Sequence, residues 1–126
     1  MNNQKPYVYV IIRRDISIEQ QAVQISHASL EAGRALYAAD EPIASVILLQ
    51  VPDKAGLLAA AARLKRYDIA FELFFEPDFG MGESALATRP VRGKERHLFK
   101  AWELYRHTPA VTPSPDVARE AETASA

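Results

Sequence analysis

The 126 residues are 48% hydrophobic and 25% charged, carry a formal net charge of -1, and contain no cysteine. One globular α/β-sized domain with its own core fits that balance, while disulfides, thiolate metal sites and cysteine nucleophiles are excluded. The start, MNNQKPYVYV, lacks the charged-then-apolar pattern of a leader and is too short in apolar run to span a bilayer. A cytoplasmic protein with no membrane partner is therefore expected.

Tyr7 to Arg13 (YVYVIIR) is β-rich with almost no polar alternation, which suits a central strand covered on both faces. Arg14-Asp15-Ile16-Ser17 is short enough to be a strand-to-helix turn. Ser17-x-x-Gln20 then has the spacing of a capping box, with Gln20 reaching back to Ser17. The helix runs from Ile18 to about Ala39, where Asp40-Glu41-Pro42 ends it. Gln20, Gln24, His27, Glu31 and Arg34 fall on one face of this helix, and Ala22, Ile25, Ala28, Ser29, Ala32 and Leu36 take the other side. The polar stripe would lie beside a strand's C-terminal end, where ligand sites of α/β folds gather.

Ala44 to Val51 reads as a second apolar strand. Asp53 is a candidate N-cap for a second helix, LLAAAARLKRY, whose basic last turn complements the helix dipole. Ala70 to Phe75 reads as a third strand, 76–83 as a loop with Pro77 and two glycines, and Ser84 to Val91 as a fourth strand that leaves the sheet or lies at an edge near Pro90. Lys94 to about Arg106 has Leu98, Phe99, Ala101, Trp102 and Tyr105 on one side, as a last amphipathic helix would. After His107 the composition turns to prolines and small polar residues. Residues 1–106 thus form the expected domain and 107–126 a loosely attached tail.

The expected fold is a single three-layer α/β/α domain with a small mixed four-stranded sheet, in the order β-α-β-α-β-β-α. The first two strands should be parallel through a right-handed crossover, and the third and fourth antiparallel. Small α/β domains of this sort often pair as symmetric homodimers.

Several side chains have the chemistry of a site. His27 can take a proton from water near neutral pH, or can be a helix histidine bonded to its surroundings. Gln24, one turn earlier, can hold a carbonyl or a water, or belong to a solvated face. Glu76 and Asp78 sit where a strand ends; as general bases they would repel one another and raise one pKa if partly buried, and otherwise they are a wet acidic loop. Asp15 suits a structural cap. Arg13, Arg14, Arg89, Arg92 and Lys94 make either a phosphate-binding rim or a solvated basic face. Asp78-Phe79-Gly80 lacks the other kinase signatures, Gly80-Met81-Gly82 opens no helix, and His27, His97 and His107 have no metal-ligand spacing.

The strand ending in Arg13-x-Asp15, followed by a helix with Ala22-x-Gln24-x-x-His27-Ala28, resembles the type-two peptidyl-tRNA hydrolase family. The resemblance spans roughly Tyr7 to Tyr105, and Phe75-Glu76-Pro77 to Ala87-Thr88-Arg89-Pro90 looks like its divergent members. It implies hydrolysis of the ester between a peptide and tRNA, without metal or organic cofactor. It also implies a site beside the first helix's N-terminal half, near the acidic residue that closes the third strand. Catalysis would then fall to His27, Glu76, Asp78 and Gln24, and tRNA docking to Arg13, Arg14, Arg89, Arg92 and Lys94. Where the family's core enzymes carry a lysine early in this helix, the chain has Gln20. The alternative is a catalytically silent module of the same fold that binds tRNA or a protein.

Overall fold

The computed structural model describes residues 4–106. Five strands form one sheet: β1 (Tyr7–Arg13), β2 (Ser45–Val51), β3 (Phe71–Glu76), β4 (Gly82–Thr88) and β5 (Glu103–Leu104), in the order β3-β4-β1-β2-β5. Helix α1 (Ile18–Leu36) joins β1 to β2, α2 (Lys54–Arg66) joins β2 to β3, and a 3-10 helix (Gly93–Ala101) precedes β5. The β1–β2 pair is parallel, from Tyr7 opposite Ser45 to Arg13 opposite Val51. The β1–β4, β3–β4 and β2–β5 pairs are antiparallel. The mixed α/β class is as expected; the strand count and order are not.

β1 is central, and Val8 to Ile12 are all buried because both faces are covered. Strand alternation divides them. Val8, Val10 and Ile12 join Ala28 and Ala32 of α1 in one cluster, while Tyr9 and Ile11 join Leu57, Ala60 and Leu64 of α2 in the other. Alanine on the inner stripe of α1 lets the helix axis approach the sheet closely, and that approach buries Gln21 and Gln24 on the same stripe.

Local signals explain most boundaries. Ser17 Oγ accepts from Gln20 N–H at 3.2 Å, and Asp53 Oδ1 accepts from Gly56 N–H at 2.9 Å, so both helices begin with the expected caps. The second half of the capping box does not form. Gln20 spends its amide oxygen on Gln24 instead of reaching back. Helix α1 ends at Leu36 rather than Ala39, because Tyr37 is already extended and its hydroxyl accepts from Ala44 N–H at 2.9 Å. β4 starts two residues earlier than expected and ends at Thr88, with Pro90 outside it.

The largest departure is at the C-terminal end of the described chain. The apolar residues expected on one helical face belong to different faces of the sheet: Phe99, Leu98 and Trp102 pack with the α2 cluster, and Tyr105 packs with the α1 cluster. A continuous helix cannot turn the sheet edge between them. The chain therefore stops as a 3-10 helix at Ala101 and crosses the edge extended, pairing Glu103 and Leu104 with Gln50 and Leu49. That crossing creates the fifth strand. The expected tail, 107–126, lies outside the described residues.

Candidate active site

The inner stripe of α1 carries two buried glutamines among its alanines. Gln24 is 0% exposed, so the expected solvated stripe breaks at that position. The stripe's other members behave as a surface: His27 and Arg34 are exposed, and Gln20 and Glu31 are half-buried. A primary amide can be buried only if its donors and acceptor are met. Gln24 Nε2 donates to Glu76 Oε1 at 2.8 Å and to Gln20 Oε1 at 3.2 Å, and Gln24 Oε1 accepts from Ser84 Oγ at 2.6 Å. Gln21 is likewise satisfied: it donates to the Ile16 carbonyl at 2.9 Å and accepts from Tyr105 O–H at 2.8 Å.

Ser84 reaches α1 through an irregularity in the sheet. Phe74 opposes Ala85 but Phe75 opposes Glu83, so Ser84 is the extra residue of a β-bulge. Plain alternation would send Ser84 to the same face as Leu86, under α2. The bulge turns it to the face of Ala85, where Gln24 waits. The same register brings Glu76, two residues after the inward Phe74, onto the α1 face at the strand's end.

Glu76 accepts a second bond from Asp78 N–H at 3.3 Å. The Gln24 amide is the main cause that holds the Glu76 carboxyl below the usual carboxylate range, with the Asp78 amide and the charge of His27 adding to it against a smaller opposing effect of desolvation. This corrects the expectation of a raised pKa from two adjacent carboxylates. Asp78 meets Glu76 with its backbone amide rather than its side chain. His27 stacks on Phe74 with centroids 4.5 Å apart and planes 1° from parallel, and its imidazole lines a shallow groove with Ala22, Val23, Ser26 and Leu30. Glu76, Gln24, His27 and Asp78 thus converge at one end of the sheet. An ionised carboxylate in fixed orientation beside an accessible imidazole can bind a cation, orient water, or support proton transfer.

The basic residues do not converge. Arg13 holds Asp15 in a two-pronged ion pair at 2.6 and 2.8 Å, and its third prong donates to the carbonyls of Met81 and Glu83 at 2.9 and 3.1 Å. It pins the end of β1 to the start of β4, and it keeps Asp15 below the usual carboxylate range. Arg14 donates to Gln50 Oε1 and to the Arg106 carbonyl, and lies over the Tyr105 ring. Arg89 pairs with Glu95 and Arg92 with Glu41. These two, with Lys94, sit at the other end of β1, where Val91 bridges Tyr7. Seven extended residues separate the two groups by about 20 Å.

Ser84 and Gln21 escaped the sequence reading. Gln21 was detectable, since 21, 24, 28 and 32 step by three and four along a buried stripe. Ser84 was not, because nothing local marks the bulge. Among the described residues no group of three or more His, Asp or Glu is placed to hold a metal ion, and no helix is long and apolar enough to cross a membrane.

No family model and no curated protein matches the chain. A solved structure of a protein of unknown function from Agrobacterium tumefaciens is similar, with a TM-score of 0.59 at 16% identity, over 84% of this chain and 100% of that one. The likeness is one of fold.

Proposed function

We propose that the chain is a peptidyl-tRNA hydrolase-like enzyme, cleaving the ester between a peptide and the terminal ribose of tRNA. One observation carries the reading: the buried Gln24 amide spans Ser84 and Glu76 and fixes an ionised carboxylate at a strand end, beside His27. A carboxylate held at low pKa is a weak base, so the proton goes to His27 and Glu76 steadies the imidazolium that forms. Water oxygen attacks the ester carbonyl carbon, the bond to the ribose oxygen breaks, and His27 returns the proton to the leaving hydroxyl. Gln24, with its hydrogen-bonding groups already spent, positions Glu76 without touching substrate. Arg14 and Lys94 make no ion pair among the described residues, which suits them to backbone phosphates.

Release of peptide from peptidyl-tRNA tests this. Turnover by the wild type should fall by roughly a hundredfold or more in His27→Ala and in Glu76→Gln, with folding retained. Undetectable turnover by well-folded wild type would overturn it.

A second reading, a silent binding module, is favoured by a different observation. Gln20 has its amide oxygen committed to Gln24, and among the described residues no lysine or arginine hydrogen-bonds or ion-pairs with Gln20, Gln24 or Glu76. A site without a cation has less to offer a developing oxyanion. Saturable, salt-sensitive tRNA binding without turnover would establish it.

A further inference from the structure

On the face of the sheet away from Gln24, the 3-10 helix and β5 enclose a cleft of about 400 Å³. Its floor is aromatic and aliphatic. Tyr9 and Phe99 stack with centroids 3.8 Å apart and 6° between planes, Trp102 tilts against Phe99 at 5.6 Å, and Ile47 lies beside them only half-buried. Its rim is basic. Arg96, His97 and Lys100 of the 3-10 helix line the cleft, and none of them makes an ion pair among the described residues.

Arg96 is held in place without being neutralised. Its guanidinium lies 3.6 Å from the Tyr7 ring centroid, and its Nε donates to Tyr9 O–H at 2.9 Å. The two carboxylates nearest in sequence are spent elsewhere. Glu95 is taken by Arg89, and Glu103 meets Gln50 on the far face, since alternation along β5 sends Trp102 and Leu104 to the cleft and Glu103 away from it.

We propose that this cleft binds a small anion carrying a flat ring, of the mononucleotide class. The half-buried Trp102 and Ile47 and the exposed Leu104, backed by the buried Tyr9–Phe99 stack, take the ring, and Arg96 and Lys100 take the charged end. A guanidinium and an ammonium together match a doubly charged phosphoryl group better than a single carboxylate. The volume lies within the range of small-molecule sites. The proposal is independent of ester hydrolysis, because the cleft is on the opposite face from Glu76 and His27.

The chain has one tryptophan, and Trp102 lines the cleft, so its fluorescence reports occupancy directly. The probe is adenosine 5′-monophosphate, with excitation beyond the adenine band, and adenosine and inorganic phosphate as separate arms. Saturable change is expected with the monophosphate below about 1 mM, and roughly tenfold weaker binding with either arm alone. Lys100→Gln, an exposed change, should weaken the monophosphate roughly tenfold with the thermal midpoint unmoved, and Arg96→Gln by at least as much. No saturable response, equal affinity for adenosine and its monophosphate, or unaltered affinity in both variants would each overturn the proposal.

Discussion

Gln24 donates to Glu76 across 2.8 Å, joining the first helix to the end of the third strand through two side chains 52 positions apart. The bond completes a chain from Ser84 to Glu76, and it is the main cause holding the Glu76 carboxyl below the usual carboxylate range. Its loss therefore has consequences for stability and for acid response that can be separated.

Replacing Gln24 with Leu removes the partner of the Ser84 hydroxyl and of Glu76. A cost of about 1–3 kcal/mol is expected from stranding the buried Ser84 hydroxyl, while water can replace the bond to Glu76. Adding Ser84→Ala should recover about 1 kcal/mol of it, because removing both partners of a buried hydrogen bond is cheaper than removing one. Urea denaturation of the two single variants and the double closes the cycle. Simple additivity would mean that the Gln24–Ser84 bond contributes nothing.

Glu76 sets an acid response. Its folded pKa lies below the ordinary 4.5, so its contribution to stability is present above 4.5 and is lost as pH falls through the lower folded value. Glu76→Gln should therefore be less stable than wild type at neutral pH, with the gap closing as the pH drops below 4.5. Denaturant midpoints across that window measure it. A gap that widened on acidification would refute the direction.

The turn between β3 and β4 carries strain at its tip. Phe79 and Gly80 both have φ of +62°, and Met81 N–H donates to the Asp78 carbonyl at 3.2 Å, a type I′ arrangement that suits Asn or Gly at its first central position. Phe79 is 79% exposed, so burial does not compensate the strained backbone. Phe79→Asn should raise stability by about 0.5–1 kcal/mol, read from the denaturation midpoint. An unchanged or lower midpoint would show that the exposed ring contributes to folding.

Tyr105 locks the edge crossing by donating to Gln21 at 2.8 Å. Tyr105→Phe should cost about 1 kcal/mol, since it strands the buried Gln21 oxygen. Hydrogen exchange should quicken at Tyr105 N–H, which is bonded to the Leu48 carbonyl. Unaltered exchange there would separate β5 from the Tyr105 anchor.

Much of this protein is written locally. The unbroken apolar run of β1 announces a strand covered on both faces, and Val8 to Ile12 are buried accordingly. Ser17 and Asp53 cap the helices because a short oxygen-bearing side chain at that position meets an orphan amide whatever the rest of the chain does. His27, Glu76 and the Gln24 position are visible as chemistry and as placement beside a strand end. Periodicity also places Gln24 on a helix face, but it cannot say which face the sheet will cover, and the alanines at 28 and 32 share that side.

What tertiary structure alone decided depends on contacts between distant segments. The bulge that turns Ser84 toward α1 is a mismatch between two paired strands, and neither strand carries it alone. The fifth strand exists because Phe99 and Tyr105 are claimed by opposite faces of the sheet, so a segment with a helical apolar pattern must break to serve both. Five basic residues that look like one rim are set at two ends of β1 and mostly neutralised by local carboxylates, because strand direction, not sequence proximity, determines where they emerge. Glu76, finally, is acidic in any sequence, but only a buried amide from another element makes it an anion of fixed orientation.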